Sequence, residues 1–267
     1  MTAFLLSLAA TVSVQAQNDA GIFENIGNRD INGGQDAMSV EDEIALGREL
    51  AAELEPQLRL VADPVILAYV DTVGQRLVSN SDARVPFAFK VIDDPTLNAL
   101  SLPGGLVYVN TGTILAAGNE AGLASVLAHE IARVAARQDV ENRSRGTLLE
   151  ILSIPTRFFR AQVQEADFLG VQYLFRAGYD PDAAATFLET IQAVEPDRSA
   201  SPPPILAVAP PIEDRIDKIR NTIGRILPER ANHVLTTSVF EDVRRRLIAE
   251  QSNRLTVGEA EAEEARD

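Results

Sequence analysis

Asn119-Glu120-Ala121-Gly122-Leu123-Ala124-Ser125-Val126-Leu127-Ala128-His129-Glu130-Ile131-Ala132-Arg133-Val134-Ala135-Ala136-Arg137 is the stretch on which the fold turns. On a helix of about 100° per residue, Leu123, Val126, Leu127, Ile131 and Val134 form one apolar stripe. Alanines at 124, 128, 132, 135 and 136 cover most of the back. A helix apolar over so much of its circumference is buried. Yet Glu130 falls inside the stripe, with His129 and Arg133 on its flank one turn apart. A buried carboxylate is costly unless it is paired or used. Two imidazoles at i and i+4 can share a metal ion, while the glutamate between them holds a metal-bound water. Here the second position is Arg133, which stays protonated and has no lone pair to give. At ~4 Å and an effective dielectric of ~20 it would also repel a divalent ion by about 8 kcal/mol.

Outward from this helix the pattern is α+β and mainly helical. Ser39-Val40-Glu41-Asp42 starts a helix that carries Ile44, Leu46, Leu50 and Leu54 to Pro56. Asp63-Pro64 starts a second, with Ile66, Leu67, Val70, Val73 and Leu77 at helical spacing. Phe87 to Ile92 alternates as a strand, and Leu106 to Val109 is another, reached through Pro103-Gly104-Gly105. Further helices are expected over 162–177, 182–193, 211–225 and 238–250, with a Pro- and Ser-containing loop over 194–210. The chain divides into a signal peptide (1–16), a flexible Asn/Gly/Asp-rich lead (17–38), a domain (39–250) and an acidic, disordered tail (251–267).

Several stretches together resemble the HtpX- and BepA-type zinc metallopeptidases, gluzincins of peptidase family M48. They are Asn98 to Gly105 with Leu106 to Gly112, the helix Asn119 to Arg137, Glu165-Ala166-Asp167-Phe168-Leu169-Gly170, and Ala177-Gly178-Tyr179-Asp180-Pro181. The resemblance implies a zincin-like domain with a small sheet beside the active helix. It implies His129 and Glu165 as metal ligands, Glu130 as general base and Asp167 as an orienting residue. It also casts Leu106, Val107, Tyr108 and Val109 as the edge strand that holds an extended peptide. The departures are at histidines: Arg133 replaces the second ligand, Gln138 a histidine just past the helix, and Ala209-Pro210-Pro211 a later His-Pro element. Zinc, the ion of the family, is therefore expected to be weakly bound or absent. Arg133 could stand in for it between Glu130 and Glu165.

Two functions follow. One is a pseudopeptidase that binds extended or unfolded exported proteins, or an active relative, without cutting them. The other is an active zinc metalloendopeptidase with a non-standard ligand set, using Asp167 or His233 and displacing Arg133. His233, the only other histidine, otherwise reads as an ordinary surface residue. The net charge of −15 argues against nucleic acid as a partner. The apolar run Phe4 to Val14, followed by Gln15-Ala16, is too short to span a bilayer and reads as an export signal for the periplasm or the exterior. With no cysteine, disulfides and thiol chemistry are excluded.

Overall fold

A computed structural model describes residues 25–29, 31, 38–138, 156–194 and 210–264. The signal peptide and most of the 194–210 loop lie outside these residues. Helix α1 spans Val40–Leu54, and its N-cap Ser39 accepts the Asp42 N–H. A 3-10 turn, Glu55–Gln57, follows. Helix α2, Pro64–Val78, is capped by Asp63, with Pro64 placed where its missing N–H costs nothing. Three strands come next: β1 (Ala88–Ile92), β2 (Ala99–Leu102) and β3 (Leu106–Asn110). A short α3, Thr111–Ala116, leads into α4, Glu120–Ala135, which Asn119 caps by accepting the Gly122 N–H. The remaining helices are α5 (Thr156–Arg176), α6 (Ala183–Val194), α7 (Ile212–Ile226) and α8 (Ser238–Glu264).

The sheet order is β1-β3-β2, with β1 parallel and β2 antiparallel to β3. Strand alternation sends the two faces to different cores. Phe89, Val91, Val107 and Val109 join the main core with α2 and α4. Ile92, Leu102 and Tyr108 pack with Leu46 and Leu50 of α1 on the other face. The β2–β3 turn uses Gly104 and Gly105 at φ of 75° and 92°, and a Cβ on Gly105 would stand 2.1 Å from the Pro86 oxygen. Only glycine meets both demands.

Three expectations change. Leu106 to Val109 is not an edge: β3 is the central strand, hydrogen-bonded on both sides, so its backbone cannot add a peptide strand. Alternation shows that a segment is a strand but not its place in the sheet. The lead is not wholly outside the fold, because Ile26 is 1% exposed within the main core. Arg29 bonds Asp82 and Gln172, and Arg176 donates to the Ile26 carbonyl. Finally, α8 runs past residue 250 to Glu264. The acidic charges that suggested disorder sit on Glu residues interleaved with Ala, and both residue types are good helix formers.

Candidate functional site

Helix α4 carries the site, and twelve of its sixteen residues are buried. Helix α5 packs antiparallel to it. Gly170 lies against Ala128 and the His129 nitrogen, where a Cβ would sit 3.3 Å away, whereas Gln162 and Glu165 meet Gln138. This close approach brings Asp167 Oδ1 to 2.9 Å from His129 Nδ1. Arg215, in the first turn of α7, donates to both Asp167 oxygens, each at 2.8 Å. Burial alone would raise the Asp167 carboxyl, but the Arg215 charge, its hydrogen bonds and those of His129 hold it well below the usual carboxylate range. Asp167 is thus a fixed carboxylate.

Glu130 turns to the sheet. Ser101, on the face of β2 toward α4, donates to Glu130 Oε2 at 2.8 Å. Arg133 Nε lies 3.4 Å from Ser101 Oγ and 3.5 Å from Glu130 Oε2. The side chains of Arg133 and Glu130 are 14% and 10% exposed, so the charge pair is poorly screened. The carboxylate that the apolar stripe isolates is therefore neutralised by the arginine one turn later.

Glu165 does not join this group. It is exposed and accepts from Gln138 Nε2 at 3.0 Å, near the C-terminal end of α4. It stands two positions from Asp167, about 200° around α5, so the two cannot serve one point on α4. Arg133 accordingly meets Glu130 but does not bridge to Glu165. The residue of α5 on the Asp167 face, one turn back and level with Arg133 in this antiparallel register, is Val163. His233 is elsewhere: its Nδ1 lies 3.0 Å from the Tyr179 carbonyl and its ring tilts against Phe175. Leu106 to Val109 lie inside the sheet, as described above.

Between β2, α4, α6 and α7 a cleft of about 150 Å³ opens beside His129, Glu130, Asp167 and Arg215. Its walls are largely apolar, with Val126, Phe187, Leu188, Ile191 and Ile219. Nothing along the chain marks Ser101 or Arg215, since a serine in a strand and an arginine in a charged helix turn are ordinary until packing brings them to Glu130 and Asp167.

Residues 67–156, spanning the sheet, α4 and its flanks, match the profile described as Peptidase family M48. The chain carries the M48-family metallopeptidase fold. It is 30% identical over 224 residues to the beta-barrel assembly-enhancing protease of Yersinia pestis, covering 72% of this chain and 46% of that protein. With the protein of the same name from Escherichia coli (strain K12) it is 31% identical over 223 residues, covering 72% and 46%. With the mitochondrial metalloendopeptidase OMA1 of Schizosaccharomyces pombe it is 34% identical over 149 residues, covering 48% and 44%. The chain spans just under half the length of these relatives.

The residues present do not fit the family's zinc ion. Among the described residues no three histidine, cysteine, aspartate or glutamate side chains cluster as a metal site. A catalytic zinc normally takes three protein ligands and a water. Here the position one turn after His129 holds a cation, Glu165 faces away, and both Asp167 oxygens are engaged by Arg215. Replacement ligands at Asp167 or His233 meet the same obstacle of engagement or distance. The family fold is kept while the donor set is incomplete.

Proposed function

We propose that the chain is a pseudopeptidase, a metal-free M48 domain that binds extended or unfolded polypeptide without cutting it. The observation that carries this reading is Arg133, which occupies the second donor position and is paired with Glu130 at 3.5 Å. An ion would have to displace an arginine already neutralising the carboxylate it needs. The apolar cleft remains, bordered by Leu97, Asn98 and Ala99 at the start of β2, the outer strand on that side of the sheet. An extended segment laid along that border could place an apolar side chain in the cleft.

The partners we propose are exported proteins in an extended state, or an active relative that this chain regulates. The name of the bacterial relatives, beta-barrel assembly-enhancing protease, favours a role near the assembly of such proteins. The compartment proposed is the periplasm or the exterior, on the strength of the apolar run Phe4 to Val14. No helix among the described residues is long and apolar enough to cross a membrane.

The alternative is an active zinc endopeptidase with a non-standard ligand set, favoured by the likeness to proteases alone. One experiment separates the two. The chain lacking its first sixteen residues is dialysed against zinc, its metal measured by elemental mass spectrometry, and then mixed with reduced, carboxymethylated α-lactalbumin. Binding of the unfolded probe without cleavage, and without stoichiometric metal, is expected. A full equivalent of zinc lost on His129→Ala, together with cleavage, would overturn the pseudopeptidase reading.

A further inference from the structure

Helix α7 carries three exposed cations after Arg215, and only one of them is neutralised. Arg220 bonds Asp182 at 3.1 Å and Glu189 at 2.8 Å. Lys218 and Arg225 meet no carboxylate among the described residues, although the chain has 39 acidic side chains to 24 basic ones. Placement explains this. Lys218, Asn221 and Arg225 recur at i, i+3 and i+7 and so share one face of α7, while Asp217 and Arg220 fall on others. That face borders a groove of about 340 Å³ between α5 and α7, within the size range of small-molecule sites. Gln164 and Phe168, one turn apart, enter it from α5, and Phe168, Ile219 and Ile226 give it an apolar floor. The one acid on its described wall is Asp167, and Arg215 already holds both of its oxygens. The Thr222 hydroxyl is spent on the Lys218 carbonyl at 2.9 Å. The groove therefore offers N–H donors from Gln164, Lys218, Asn221 and Arg225 above apolar side chains, with no free charged acceptor. None of these four donors lines the cleft beside His129.

We propose that the α5–α7 groove binds a phosphate monoester carried on an apolar stem. The charge matches: such a group carries about −1.5 to −2 near pH 7, against the two free cations. A carboxylate would leave one cation uncompensated. Three phosphoryl oxygens can take the N–H groups that converge from both helices. Lys218 and Arg225 stand two turns, about 10.5 Å, apart along α7, and their long stems let both heads close over Asn221 between them. The stem of the ligand then lies on Phe168, Ile219 and Ile226. A single small molecule fits better than a polyanion or an anionic membrane surface, because a net charge of −15 repels an extended negative surface that only two cations would attract.

Isothermal titration of the full chain with octyl phosphate tests the site. One molecule per chain is expected to bind. Octanol, which lacks the charged head, should bind at least about tenfold more weakly. Inorganic phosphate, which lacks the stem, should also lose at least about tenfold. Octyl sulfate, with a single charge, should fall between them and octyl phosphate. Lys218→Gln and Arg225→Gln should each weaken octyl phosphate about tenfold, each removing a charge-assisted hydrogen bond. Arg220→Gln, on the same helix but facing away, should leave the affinity unchanged. Lys218 and Arg225 are exposed and hold no ion pair among the described residues, so their variants should melt with the wild type. No binding of octyl phosphate, or an equal loss in Arg220→Gln, would overturn the inference. So would co-sedimentation of the chain with phosphatidylcholine vesicles containing phosphatidic acid, which would assign the donors to a membrane surface. None of these outcomes bears on the pseudopeptidase reading, since no donor of the groove touches the cleft on α4.

Discussion

Replacing Arg215 with methionine tests the electrostatic frame of the site. The substitution keeps much of the side chain's bulk and removes the guanidinium that donates twice to Asp167 at 2.8 Å. Arg215 and Asp167 are 15% and 9% exposed, so the pair is largely desolvated. Removing one partner of a buried pair costs about 3–5 kcal/mol, because the other charge is left behind. His129 remains beside Asp167, which places the expected loss near the lower end, about 3 kcal/mol. At about 2–4 °C per kcal/mol for a domain of this size, the melting temperature should drop by about 6–12 °C. The pH dependence has a definite sign. Asp167 is held below its unfolded value, about 3.9, so its pairing stabilises fully above that pH and fades as the pH falls through the folded value. In Arg215→Met the burial that raises the carboxyl is no longer opposed by the arginine, so Asp167 can take up a proton and relieve the penalty. The gap between wild type and variant should therefore narrow on acidification. Urea unfolding at several pH values, with Asp167→Asn and the double variant, gives the coupling energy directly. A cost below about 0.5 kcal/mol, or additive single variants, would refute the account.

Arg133→His alone should not create a zinc site, since Glu165 faces away, whereas Arg133→His combined with Val163→Glu should bind zinc stoichiometrically by elemental analysis. Retention of a full equivalent by the single variant would show that the α4–α5 register has been misread. Glu120, 4% exposed, accepts from the hydroxyls of Tyr69 and Tyr179 at 3.0 Å each and from Thr237. Glu120→Ala should cost at least about 2 kcal/mol in urea unfolding, because hydrogen bonds to a buried charge are lost and three hydroxyls are left without it. Gly47→Ala should be poorly folded, as the new Cβ would stand 1.8 Å from the Pro103 carbonyl oxygen. A near-normal melting curve for that variant would mean that α1 can move off the β2–β3 turn at little cost.

The helices were legible because their signals are local. Asn119 before an apolar period, and Asp63 before Pro64, mark starts that the structure keeps. The mainly helical α+β class and the family likewise follow from patterns along the chain. What was not legible depends on neighbours. Leu106 to Val109 alternates like any strand, and only pairing on both sides makes it central. Glu165 and Asp167 are both acids in one motif, yet which of them faces His129 depends on the side of α5 that Gly170 allows against α4. Arg215 approaches Asp167 from 48 residues away, and nothing in its own segment announces the pairing. Ile26 sits in a short Asn- and Gly-rich stretch whose few apolar residues, Ile22, Phe23 and Ile31 among them, do not sustain a period, and only the slot it fills reveals its place.

That slot has a consequence for how the chain is completed. The segment around Ile26 and Arg29 is synthesised early, but Gln172 and Arg176, which hold it, lie 143 and 150 residues from their partners. Contacts of such separation close one of the longest loops in the molecule, and their entropy must be met before they return any stabilisation. A growing chain can tie Gly27 and Arg29 to Asp82 once α2 has been made, but the seat of Ile26 stays incomplete until α5 follows. The earliest part of the domain to emerge is among the last able to lock, and the interval between the two is a window in which Ile26 is exposed to other binders or to proteases.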